Sequence, residues 1–152
     1  MANADKPSLT RIFACYGVRT VHRDEKNRFT IPAKMRPDEE DELSEYLLVR
    51  NTKEESMFLL FPPSQVAKLS DEALQAVALV SCPVHIDKSG RILIPAAFQR
   101  AATGDNTEKT DLIMVGRGNH FELWTPEKWA GVKSQRIEEA KRAIDQLTND
   151  QT

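Results

Sequence analysis

The feature that most constrains this chain is an internal repeat. Val21-His22-Arg23-Asp24-Glu25-Lys26-Asn27-Arg28-Phe29-Thr30-Ile31-Pro32-Ala33 lies over Val84-His85-Ile86-Asp87-Lys88-Ser89-Gly90-Arg91-Ile92-Leu93-Ile94-Pro95-Ala96, with Val, His, Asp, Arg, Ile, Pro and Ala matching at a constant offset of 63 positions. The same offset returns later, where Phe58 falls on Phe121, Leu60 on Leu123, Phe61 on Trp124, Pro63 on Pro126 and Val66 on Trp129. Between these anchors Leu47-Leu48-Val49 and Ile113-Met114-Val115 stand slightly out of step, as length changes absorbed in loops would produce. Chance rarely restores a register after so long an interval. Any fold for this chain must therefore house two copies of one small unit.

Each copy reads the same way. A strand (18–23 and 82–86) runs into a tight polar turn and a second strand (29–31 and 91–94). Ser89-Gly90 supplies the positive-φ residue that a short turn needs, and Asn27 does so less comfortably in the first copy. Pro32 and Pro95 end strands where no ladder donor is required. A short helical turn follows, at 33–35 and 96–101, then a charged loop and two strands ending at Phe61 and Trp124. Phe61, Trp124 and Trp129 fall where a core between strand and helix is expected.

Thr125-Pro126-Glu127 is a helix start, with a capping hydroxyl, proline in the first turn and an acid at the positive dipole end. Trp129, Ile137, Ala140, Ile144 and Leu147 continue it as an apolar stripe to about residue 147. Ser70-Asp71-Glu72 opens a shorter counterpart between the copies. The expected fold class is mainly β with flanking α-helices, α+β. The expected units are a first module at 13–66, a linking helix at 67–80, a second module at 81–130, a C-terminal helix and tail at 131–152, and a loose N-terminus at 1–12.

The 152 residues are 40% hydrophobic and 29% charged with alternating sign, which suits a globular chain with a solvated surface. A net charge of -2 excludes binding to nucleic acid by overall charge, so any such binding must come from local basic clusters. The stretch Ile12 to Val18 is too short for a signal core and is broken by Gly17, and no run approaches a membrane span. Cys15 and Cys82 form no disulfide framework and suit a reducing cytoplasm. Cys82 and His85 are spaced like half a metal site without a matching half, and His22 recurs at the position of His85 with no second ligand nearby. There is no Gly-rich phosphate loop, no nucleophile in a recognisable setting and no recurring carboxylate pair. An enzyme is not expected, nor a cofactor, a metal, a membrane or a small-molecule substrate.

The segment Asp87-Lys88-Ser89-Gly90-Arg91-Ile92-Leu93-Ile94-Pro95 resembles the signature of AbrB-type swapped-hairpin proteins. Two such copies, each ending in an aromatic-x-Leu-aromatic-x-Pro segment, resemble the MraZ family over roughly residues 13–130. The resemblance implies a tandem pseudo-twofold swapped-hairpin β-barrel. It also implies a ring-like homo-oligomer that binds repeated sites in double-stranded promoter DNA and regulates the division and cell-wall gene cluster, in the cytoplasm at the nucleoid. The family's Asp-x-x-x-Arg motif falls on Asp24 and Arg28 and again on Asp87 and Arg91. Swapped-hairpin modules also occur in antitoxins and adaptors that bind a partner chain, which is the alternative reading.

A β-ribbon can enter a major groove, where guanidinium groups pair with guanine edges or grip phosphates. Arg19, Arg23, Lys26, Arg28, Lys34 and Arg36 surround the first turn against only Asp24 and Glu25, whereas the second has Lys88 and Arg91 with Arg100 beyond. The acidic excess is expected at Asp38 to Glu42 and near the C-terminus. The candidate DNA-binding residues are Arg28, Arg91, Arg23, Lys26, Arg19, Lys34 and Lys88, and the first module ranks above the second on basic neighbours. Asp24 and Asp87 either fix the turn through an ion pair and backbone hydrogen bonds, or orient the arginine that reads DNA. Both roles can coexist.

Overall fold

The computed structural model describes residues 15–36, 45–53, 57–98 and 111–149. The N-terminal stretch 1–12, the acidic stretch Asp38 to Glu42, Arg100 and the last part of the turn expected at 96–101 lie outside these residues. Strands run over Val18–Val21 (β1), Arg28–Thr30 (β2), Glu45–Arg50 (β3), Met57–Phe61 (β4), Ser81–His85 (β5), Arg91–Leu93 (β6), Leu112–Gly116 (β7) and Phe121–Trp124 (β8). Helices cover Pro63–Val66 (α1), Asp71–Ala76 (α2) and Pro126–Asn149 (α3), and Ala33–Met35 and Ala78–Val80 form 3₁₀ turns. Mainly β with flanking helices is the class observed.

The strands do not pair with their nearest neighbours in sequence alone. A six-stranded antiparallel sheet runs β1-β7-β8-β4-β3-β5, and β2 and β6 form a separate two-stranded ribbon. β1 and β2 therefore part after the first turn, where an isolated bridge pairs Arg23 with Phe29, as another pairs Ile86 with Ile92 at the second. The sheet order is the same from either end once each strand is exchanged for its repeat equivalent. In the ribbon Phe29 faces Ile92, and in the sheet Leu59 faces Glu122, so at both places a residue pairs with its own counterpart 63 positions on. These two pairs mark an approximate twofold axis through the middle of the chain. The ladder ends at β1 and β5, and no pairing between them closes it among the described residues.

Period-two alternation sorts the side chains into layers. One face of the sheet presents Tyr46, Leu48, Phe58, Leu60, Leu112, Met114, Phe121 and Leu123, and these bury against Phe29, Ile31, Ile92 and Ile94 of the ribbon arms. Burial of each such side chain stabilises by roughly 1.5–3 kcal/mol relative to exposure. On the opposite face Met57, Val115 and Trp124 form a second cluster with Leu59, Ile113, Trp129 and Val132 of α3. The position-49 and position-115 equivalents pair with Ser81 and Val18 respectively, so the slip of register noted in the sequence is taken up between strands without disturbing the sheet.

Helix starts follow the local signals. Ser70 Oγ accepts from the Ala73 N–H at 3.1 Å to cap α2, and Thr125 Oγ1 accepts from the Lys128 N–H at 3.3 Å at the start of α3. The link between the repeats holds two short helices and a 3₁₀ turn rather than one continuous helix. Of the stripe expected on α3, only Trp129 is partly buried, at 6.1 Å from the Trp124 ring, whereas Ile137, Ile144 and Leu147 are exposed. A buried carboxylate holds the helix down. Glu122 accepts from Trp124 Nε1 and from Arg136 Nη2, each at 3.0 Å, while the Arg136 guanidinium lies 6.0 Å from the Trp124 ring centre.

Candidate nucleic-acid interface

The two turns are built alike, atom for atom. Asp24 Oδ1 accepts from the N–H of Lys26 at 2.9 Å and of Arg28 at 2.8 Å, and Oδ2 accepts from Arg28 Nε at 2.9 Å. Asp87 Oδ1 accepts from the N–H of Ser89 and of Arg91 at 2.9 Å, and Oδ2 accepts from Arg91 Nε at 2.8 Å. The backbone closes the same loop in each, with Asp24 and Asp87 donating to the carbonyls of Arg28 and Arg91 at 2.9 Å. Short polar side chains favour such Asx turns because they replace a backbone partner locally. Each turn also needs one left-handed residue, Asn27 at φ 62 in the first and Gly90 at φ 81 in the second.

These bonds hold both carboxyls below the usual carboxylate range. The first cause at Asp24 is the Arg28 N–H and at Asp87 the Arg91 N–H, with the guanidinium bonds adding to them. Each aspartate thus ties its turn together and binds the Nε of the arginine four positions on. Only Nε of each arginine donates to its aspartate, so the planar fork is held while its two terminal nitrogens stay out of that bond.

The ribbon then sets the direction. Opposed residues in an antiparallel pair share a face, so Arg28 with Leu93 and Thr30 with Arg91 stand on one side, while Phe29 with Ile92 fills the core on the other. Arg28 and Arg91 are both partly exposed there, and Leu93 is 55% exposed. Two guanidinium groups from distant parts of the chain thus share one outward surface. Thr30 and Leu93 on that surface were not singled out from the sequence, although the alternation Arg-Phe-Thr and Arg-Ile-Leu marks them.

The remaining candidates are distributed around this ribbon. Lys26 and Lys88 are exposed within the turns, Arg23 is partly exposed beside the first, and Lys34 is exposed on the 3₁₀ turn after β2. Arg19 is exposed on β1, at an edge of the other sheet. Arg36, grouped with the first turn in the sequence, lies instead against Gly90 of the second. His22 and His85 are both exposed, His85 as the last residue of β5 and His22 just past the end of β1 rather than within the strand, with its Nδ1 3.1 Å from Asp111 Oδ1.

Fold and site together define a mainly-β tandem-repeat protein that carries a paired arginine ribbon across its approximate twofold axis. The model of a family described as MraZ protein matches residues 82–150, and its description also raises an antitoxin-like role. Relatives named Transcriptional regulator MraZ are 33% identical in Marinobacter nauticus, over 74% of this chain and 82% of that protein, and 28% identical in Methylococcus capsulatus, over 82% and 87%. A third, from Mycolicibacterium smegmatis, is 28% identical over 88% of this chain and 96% of that protein. The chain belongs to the MraZ family of transcriptional regulators.

Proposed function

We propose that the chain regulates transcription by binding double-stranded promoter DNA through the outward face of the β2–β6 ribbon and its two turns. The observation that carries this is the identical Asp-held arginine at each turn, with Arg28 and Arg91 on one face of a two-stranded antiparallel ribbon. Such a ribbon fits a major groove, and guanidinium forks suit guanine edges and phosphates. Arg23, Lys26, Lys34 and Lys88 supply the surrounding positive charge, with Arg19 farther out on the edge strand. The strand exchange between repeats supports an AbrB-like swapped-hairpin architecture, with 13–66 and 81–130 as its halves.

The same reading makes the active form a ring-like homo-oligomer on repeated sites, acting on the division and cell-wall gene cluster in the cytoplasm at the nucleoid. Exposed Val18, Leu79, Ile137, Ile144 and Leu147 are the apolar surface available for self-association. No cofactor, metal or small molecule enters it. The exposed apolar residues also favour a second reading, a module that binds a partner chain with little DNA affinity. Fluorescence anisotropy on a labelled promoter duplex across a salt series separates the two. DNA binding is expected to fall steeply with salt, with Arg28→Ala and Arg91→Ala each flattening the log-log slope by about one unit. A flat salt response, or variants that bind like the wild type, would remove the DNA reading.

A further inference from the structure

Arg36 ends the 3₁₀ turn that follows β2, where its N–H donates to the Ala33 carbonyl at 3.3 Å. The chain is brought to the second turn just before this, since the Ile31 N–H donates to the Gly90 carbonyl at 2.8 Å. The Arg36 guanidinium is laid on Gly90 itself. A Cβ at position 90 would stand 2.4 Å from Nη1, 2.6 Å from Cζ and 3.0 Å from Nε. Nε is enclosed and has no hydrogen-bond partner, and among the described residues no carboxylate is paired with this guanidinium. In contrast, Arg28 and Arg91 are each matched by an aspartate.

We infer that Arg36 is a DNA-phosphate contact of the second turn, delivered there by the first repeat. The inference rests on the DNA-binding reading of the ribbon. Asp87 and Arg91 together carry no net charge, so the attraction of this turn for a phosphate depends on its other cations. A guanidinium seated flat on a glycine keeps its fork geometry with little freedom to lose, which favours bidentate phosphate binding. Glycine at 90 thus serves two ends, since it takes the positive φ and leaves the space that the guanidinium occupies. Arg36, one of the basic neighbours that ranked the first turn above the second in the sequence, lies at the second in space, and Arg91→Ala should weaken binding as much as Arg28→Ala.

The test uses the full chain, a labelled promoter duplex and the same salt series, with thermal melts of every variant. Arg36→Gln installs the residue that the second repeat carries at the equivalent Gln99. It should weaken binding about tenfold, the size of one charge-assisted hydrogen bond, and flatten the salt slope by about one unit. Gly90→Asn tolerates the left-handed backbone, as Asn27 does in the first turn, but its Cβ displaces the guanidinium. It should lose affinity in the wild type and little more in the Arg36→Gln background. Wild-type affinity and slope in Arg36→Gln, alongside weakened Arg28→Ala, would overturn the inference and leave the DNA reading standing. Fully additive losses in the double variant would show that Gly90 acts without Arg36 and would also overturn it. Absence of salt-dependent binding by the wild type would instead refute the DNA reading on which it rests.

Discussion

Interleaving of the repeats makes a sharp prediction about cooperativity. Phe29 is 3% exposed, sits on the approximate twofold axis opposite Ile92, and belongs to the first repeat. Truncation to alanine removes buried ring atoms and leaves a cavity between ribbon and sheet, a change that costs about 3–5 kcal/mol in protein cores. For a chain of this size each kcal/mol lowers Tm by about 2–4 °C, so Phe29→Ala should melt roughly 6–20 °C below the wild type. Both tryptophans, Trp124 and Trp129, lie in the second repeat. If the repeats share one core, tryptophan emission must report the loss as fully as far-UV circular dichroism does. Melts by both probes at one fixed protein concentration, since association raises Tm, should superimpose and shift together. A tryptophan transition that stays in place while part of the dichroism signal moves would refute the shared core.

Acid should act through the turns. Asp24 and Asp87 have folded pKa values below their ordinary range, so their contribution is fully present above that range and is lost as pH falls through the folded values. Asp87→Asn should therefore be less stable than the wild type near pH 7, with the gap closing below about pH 5 in chemical denaturation; a gap independent of pH would contradict the assignment. At the helix anchor, Arg136→Leu leaves the buried Glu122 carboxylate without its cation and should cost about 1–3 kcal/mol, whereas Lys141→Leu, in the exposed pair with Glu138, should cost under about 1. Equal losses in urea titrations would show that Glu122 is not held as described. Burial pushes the Cys15 thiol up to about 11, so native alkylation near pH 8 should label Cys82 first by mass spectrometry. Faster labelling of Cys15 would contradict its burial.

Much of this protein follows from the chain alone, because the relevant interactions are local. The Asp-x-x-x-Arg turns, the left-handed Asn27 and Gly90 and the caps at Ser70 and Thr125 all rest on contacts a few residues apart, and the repeat and the apolar alternation are read directly from the residue order. The aspartates that fix the turns were legible for the same reason: their partners lie two and four positions ahead.

What the tertiary structure alone decided is which neighbour each element meets. Alternation says which face of β2 is buried but not that β6, 63 residues on, lies beside it rather than β1. Strand pairing is a non-local choice, settled by how the two sets of apolar faces close one core. It brings Arg28 and Arg91 onto one surface and carries Arg36 across to Gly90. Sequence neighbourhood groups Arg36 with the first turn; exchange of strands between the repeats gives it to the second.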